Sequence, residues 1–183
     1  IVEAVAAAAA TFEFPLVVDP VMLSKHGAPL VAEDAREAMA RLLLPRAFLV
    51  TPNLGEASVL AGLPIREASD MRRAAERIRE LGAHAVLVKG GHLPEAATDL
   101  LFLEGRFVEF PEARIQTRHT HGTGCTYSAA ITAGLALGLP LPAAVSRAKA
   151  FITSAIRTAP GLGGGAGPVN HHAPLTKASI RRT

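Results

Sequence analysis

Short apolar bursts alternate along the chain with stretches of helical spacing. Leu16-Val17-Val18, Phe48-Leu49-Val50 and Ala85-Val86-Leu87-Val88 are continuous apolar runs bounded by turn residues, the pattern of buried strands. Between them, Ala35, Met39, Leu42 and Leu43 fall on one helical face over Glu33–Leu44, and Pro45 stops the pattern. Val2–Ala10 is an Ala-rich helical end. Asn53 is placed to cap a helix carrying Glu56, Val59 and Leu60, which Gly62 ends. Ser69 is placed to cap a further helix running to Leu81, with Gly82 just beyond. Glu104-Gly105 separates Leu100–Leu103 from Arg106–Phe110 as a hairpin turn. Thr120–Gly124 leads into a helix reaching about Leu137, and Pro142 opens another to about Thr158.

Strands that alternate with helices predict a parallel sheet covered on both faces. Asp19, Asn53 and Lys89 all fall at or just after the carboxyl ends of the three apolar runs. In open α/β sheets ligands bind at that edge.

Composition narrows the function classes. The chain has 183 residues, 49% hydrophobic and 19% charged, with a net charge of +3. That apolar content excludes intrinsic disorder, and no apolar run approaches the length of a membrane span. Basic residues are spread among acidic ones; the nearest approach to a basic tract is Arg181-Arg182, which argues against nucleic-acid binding. One cysteine, Cys125, excludes an internal disulfide framework and fits a reducing cytoplasm. Asn and Gln are scarce and Arg exceeds Lys, which fits thermal adaptation and a GC-rich genome equally well. The chain opens at Ile1, inside a helical pattern. We therefore expect a single domain, 1–183, that lacks its beginning, with 171–183 as a tail.

The most informative segment is His119-Thr120-His121-Gly122-Thr123-Gly124-Cys125-Thr126. Glycines directly before a helix let backbone N–H groups approach an anion, and the helix N-terminus attracts negative charge. The segment is neither a Walker loop nor a dinucleotide fingerprint. A G-x-G before a helix also occurs in ordinary turns, so by itself it does not decide the matter. Cys125 has two readings: a small buried core residue, or a first-turn thiol whose thiolate the helix favours. The histidines offer no zinc site by spacing: His119 and His121 alternate, and His171 and His172 are adjacent. His121 is expected to shape the loop. Gly161–Gly167 reads as a flexible linker by composition.

Taken together, several segments resemble the ribokinase-like superfamily, and within it the hydroxymethylpyrimidine phosphate kinases of thiamine biosynthesis. They are Val18-Asp19-Pro20-Val21-Met22, Thr51-Pro52-Asn53 with Glu56-Ala57, Val88-Lys89-Gly90-Gly91-His92, Thr120 to Cys125, Ala148-Lys149 and Gly165 to His171. They follow the family's order from about residue 15 to 172. Most of the superfamily places an Asp base where this chain has Cys125; the cysteine marks the subfamily.

The resemblance implies an αβα sandwich with a mainly parallel central sheet, here without its N-terminal strands. It implies transfer of the γ-phosphate of ATP to the hydroxymethyl group of a pyrimidine phosphate, and of the unphosphorylated alcohol. Gly122, Thr123, Gly124 and Cys125 would form an anion hole, and Cys125 would take or position the hydroxyl proton. Lys89 would neutralise phosphate charge. Glu56 and Asp19 would serve Mg2+, Glu56 through water. Asn53, Lys89, Gly91, Thr120 and Lys149 would contact ATP. A homodimer in the cytoplasm, with a small-molecule substrate and no nucleic-acid or membrane partner, completes the expectation.

Two alternatives stay open: a cysteine-bearing pyridoxal kinase, which shares the loop and differs in the pocket, and a non-catalytic nucleotide-binding fragment. The residues that recognise the pyrimidine lie in a part of the family's chain that precedes these. Were these 183 residues the whole molecule, an exposed sheet edge would leave it poorly stable and inactive.

Overall fold

The apolar runs form strands and the periodic stretches form helices, in the order the sequence pattern gives. The structure, a computed structural model, describes residues 1–22, 24, 28–91 and 97–174. His92 of the quoted motif, Arg181-Arg182 and the tail from 175 onward lie outside the described residues. The chain divides into two compact units, Ile1–Pro111 and Glu112–Thr183.

The first unit contains α1 (Val2–Ala9), β1 (Val17–Val18), α2 (Glu33–Ala38), β2 (Leu49–Val50), α3 (Leu54–Ala61), α4 (Ala68–Glu80), β3 (Ala85–Val88), β4 (Asp99–Leu103) and β5 (Arg106–Phe110). The strands form one sheet in sequence order. β1, β2 and β3 are parallel, with Val17 opposite Leu49 and Leu49 opposite Ala85. β4 runs antiparallel to β3, and β5 to β4. The sheet is therefore mixed: the hairpin that the sequence predicts adds its two strands to the parallel set. Its turn puts both Glu104 and Gly105 at positive φ (51° and 75°), as a two-residue turn matching strand twist requires.

All four residues of β3 are fully buried, so both faces of this strand are covered. On one face Val18, Val50, Val86, Val88 and Leu100 join Met71, Ala74, Ala75 and Ile78 of α4 in a single apolar cluster. The strongly charged remainder of α4 faces away, so its helical period alone sets which side docks.

Two local expectations change. The helix over Glu33–Leu44 is α-helical only to Ala38; Met39–Leu43 widens into a π-turn and Leu44–Arg46 tightens into a 3-10 turn. Pro45 has no N–H to continue the ladder. The altered winding buries Leu43 and Leu44 and leaves Leu42 outside. Ser69 is not the cap of α4. The helix begins at Ala68 after Glu67, because the Asp70 carboxylate reaches back to accept the N–H groups of Arg66 (2.9 Å) and Glu67 (3.3 Å).

The second unit packs α5 (Thr123–Ala136) against α6 (Leu141–Arg157). Gly134 permits the close approach: a Cβ there would sit 3.0 Å from that of Ala144. Tyr127, Ile131, Val145, Ala148 and Ile152 are buried in this unit.

Candidate active site

The carboxyl ends of the parallel strands gather the first group of polar residues. The β2–β3 ladder continues past both strands: the Lys89 N–H donates to the Pro52 carbonyl (2.8 Å), and Asn53 and Lys89 form a parallel bridge. The Lys89 ammonium then reaches across to Asp19, Nζ to Oδ1 at 2.8 Å. Both side chains are largely buried, 12% and 17% exposed. Thr51, fully buried, donates its hydroxyl toward the same Asp19 Oδ1 at 3.3 Å.

Asn53 caps α3 as its residue type predicts. Its side-chain oxygen accepts the Glu56 N–H (2.9 Å), while Glu56 Oε2 accepts the Asn53 N–H (2.8 Å). Gly62, left-handed at φ 62°, ends the helix. Glu56 is only 2% exposed. Burial raises its pKa above the ordinary carboxylate value, and Asp19 pushes the same way. The hydrogen bonds from the Asn53 and Met22 backbones and the Lys89 charge pull it back down. The group is thus two carboxylates sharing one lysine, with one carboxylate out of water.

Gly91 is exposed, with open space where a Cβ would be. The preceding Gly90 is a steric necessity: its Cβ would lie 1.9 Å from the Thr98 carbonyl oxygen. The Gly90 N–H donates to Asp99 Oδ1 at 2.9 Å.

The second group lies in the other unit. Gly122 is the N-cap of α5 and takes φ 82°, a left-handed conformation that glycine tolerates best. Thr123 donates its hydroxyl to the Thr120 carbonyl (2.8 Å), closing the loop onto itself. Gly124 and Cys125 occupy the second and third helical positions, where backbone N–H groups precede any intrahelical carbonyl. Cys125 is exposed, which removes the core-residue reading. The next residue, Thr126, is hydrogen-bonded through Oγ1 to His171 Nε2 (3.1 Å).

The glycine-rich stretch is fastened to this loop, which corrects the linker reading. The His121 N–H donates to Gly167 and the Val169 N–H to His121, at 3.1 and 3.2 Å. Arg118 donates to the Gly164 carbonyl at 3.4 Å. A Cβ on Gly167 would lie 2.4 Å from His119 Nδ1, so only glycine fits against that ring. His121 shapes the loop through its backbone. Lys149, on α6, lies over the buried Tyr127 ring at 5.9 Å rather than in the loop itself.

The structure thus brings Asp19, Asn53, Glu56 and Lys89 into one cluster, and Thr120, Gly122, Thr123, Gly124 and Cys125 into one loop. Sequence reasoning gave no role to Thr51, Asp99 or His171, although Thr51 and His171 stand in segments that carry the resemblance. Each makes its contact to a residue far along the chain or by a register no local pattern displays.

A family model described as phosphomethylpyrimidine kinase matches residues 1–170. The chain is 54% identical over 159 residues to the hydroxymethylpyrimidine/phosphomethylpyrimidine kinase of Rhizobium meliloti (strain 1021), covering 85% of this chain and 60% of that protein. It is 42% identical over 160 residues to the Bacillus subtilis (strain 168) protein of the same name, with 86% and 59% covered. Among solved structures, the pyridoxal kinase from Staphylococcus aureus in complex with ADP superposes with a TM-score of 0.87 at 38% identity, covering 94% of this chain and 64% of that one. The phosphomethylpyrimidine kinase from Clostridium difficile 630 superposes with a TM-score of 0.74 at 38% identity, covering 85% and 64%. The chain spans about three fifths of the length of these two curated relatives.

Proposed function

The chain belongs to the phosphomethylpyrimidine kinase family, and from that membership we propose that the protein transfers the γ-phosphate of ATP to the hydroxymethyl group of 4-amino-5-hydroxymethyl-2-methylpyrimidine phosphate, and to the free alcohol, in thiamine biosynthesis. The observation that carries this reading is the exposed Cys125 in the first turn of α5, directly behind left-handed Gly122. Phosphoryl transfer asks for positioning and charge stabilisation. The N–H groups of Gly122, Thr123, Gly124 and Cys125 are assigned to an anion hole, with the helix dipole behind them; that of Thr123 donates to the Thr120 carbonyl at 3.3 Å and must turn from it to meet a phosphate. The Cys125 sulfur takes the substrate hydroxyl proton, or holds that hydroxyl in line.

Lys89 supplies positive charge to the phosphates, and in the resting protein Asp19 holds it extended at the sheet edge. Asn53, Gly91, Thr120 and Lys149 are assigned to the nucleotide. For Mg2+, the donor set fits an ion held largely by water and phosphate oxygens: Glu56 and Asp19 are two carboxylates in one cluster, and no group of three ligating side chains occurs among the described residues. When bound, the ion neutralises phosphate charge. A homodimer in the cytoplasm belongs to the same proposal; no helix among the described residues is long and apolar enough to cross a membrane.

A second reading, a pyridoxal kinase, is favoured by the higher TM-score to the Staphylococcus aureus enzyme. Assay of the full-length protein with ATP and each substrate separates the two. Cys125→Ala is expected to lower kcat at least about 100-fold, the usual scale of a lost acid–base group, with ADP affinity kept. Near-normal turnover in that variant removes Cys125 from the proton step. ADP binding without transfer to either substrate leaves only a nucleotide-binding module.

A further inference from the structure

The backbone that carries Lys89 is held on both flanks, and one of the two holders is a buried carboxylate with no role in the proposal above. On one side the Lys89 N–H is fixed to the Pro52 carbonyl (2.8 Å). On the other the Gly90 N–H is fixed to Asp99 Oδ1 (2.9 Å), in a buried bond. Asp99 is 3% exposed and opens β4. The antiparallel register pairs Val88 with Leu100, so Asp99 falls beside the point where β3 ends and Lys89 begins. Thr98 crowds the same turn closely enough that residue 90 must be glycine.

A strand start is a costly place for a buried carboxylate. Here β3 ends and its ladder no longer supplies an acceptor for the next N–H, and Asp99 supplies one. The Cα of Lys89 is thereby fixed, and its side chain leaves toward Asp19 from a defined point.

We propose that Asp99 is a positioning residue for Lys89: by accepting the Gly90 N–H it sets the turn from which the lysine and the open backbone of Gly91 face the phosphates. This rests on the reading of Lys89 as the phosphate-neutralising lysine. The bond needs an acceptor oxygen at this place and not a negative charge. Asp99→Asn therefore keeps the function, and Asp99→Val removes it.

The test uses the full-length protein, with steady-state kinetics in ATP, ADP affinity by calorimetry, and hydrogen exchange of the Gly90 amide. Asp99→Val is expected to weaken ADP binding and raise KM for ATP by roughly tenfold, the scale of leaving one buried N–H without its acceptor. Its Gly90 amide exchanges faster, and kcat changes less than KM. Asp99→Asn is expected to stay within about threefold of wild type in KM, with the Gly90 amide still protected, since it retains the acceptor. Where Asp99→Val does not fold, Asp99→Ser takes its place, being too short to make the bond while filling more of the site than a glycine. Wild-type KM in a folded Asp99→Val or Asp99→Ser variant overturns the proposal, as does an Asp99→Asn variant as impaired as these. A wild-type protein that transfers no phosphate refutes the kinase reading instead, while exchange at Gly90 still reports whether Asp99 holds the turn.

Discussion

Removing either member of the Lys89–Asp19 pair is predicted to cost unequal amounts of stability. The pair is 2.8 Å long and largely out of water, with exposures of 12% and 17%. At an effective dielectric constant of about 20, two charges at that distance attract by about 6 kcal/mol before desolvation is subtracted. What remains on removal depends on what each deletion leaves behind. Asp19→Asn leaves Lys89 facing Glu56, whose ionised form the lysine charge favours; the expected cost is about 1.5–3 kcal/mol, one charged hydrogen bond. Lys89→Met leaves Asp19 and buried Glu56 together without a cation. That is the costly case of an uncompensated buried charge, about 3–5 kcal/mol. The double variant Asp19→Asn/Lys89→Met is expected to recover part of the loss, so the two single costs are not additive. Urea unfolding at pH 7.5 of the three variants and wild type, with constant m-values, provides the cycle. Equal single costs or a cheaper Lys89→Met would refute the reasoning, because either means that Glu56 does not share the lysine; strict additivity would refute it by showing that Asp19 and Lys89 are not coupled.

The remaining expectations concern α3. Burial raises the pKa of Glu56, so its ionised form is disfavoured in the folded protein. The linked stability is fully present below the unfolded carboxylate pKa and is lost as pH rises through the raised folded value. Glu56→Gln is therefore expected to be more stable than wild type at neutral pH, with the difference vanishing on acidification. Thermal unfolding from pH 4 to 8 measures it, and a difference that grows toward low pH contradicts the sign. Asn53→Ala removes the cap oxygen that accepts the Glu56 N–H, at an expected cost of about 1 kcal/mol, or roughly 2–4 °C in Tm for a chain of this size. Asn53→Asp should lose far less, and a wild-type Tm in the alanine variant would show the cap to be energetically idle.

Apolar period and cap chemistry are local, and they were enough to place the three parallel strands, the hairpin, the cap at Asn53 and the helix behind Gly122. Asp19, Asn53 and Lys89 were legible as a group for a related reason: the edge where a parallel strand ends is fixed by chain direction. Local signals misplaced an element's end where two of them competed within a few residues. Asp70 reached back past Ser69 to start α4, and Pro45 rewound the end of its helix. The glycine run, flexible by composition, is fastened because His119 and His121 offer it a ring to wrap and a backbone to pair with.

By itself the sequence determined which residues carry charge, thiol and acceptor oxygens, and at which strand or helix end each stands. Only the tertiary structure decided how those groups act on one another. Lys89 is shared between two carboxylates because 70 residues of chain fold to put Asp19 2.8 Å from it. Glu56 is hard to ionise because α3 buries it, and Gly90 is held because sheet register brings Asp99 alongside. Burial and long-range register set desolvation and partner distance, and neither is a property of any short stretch of sequence.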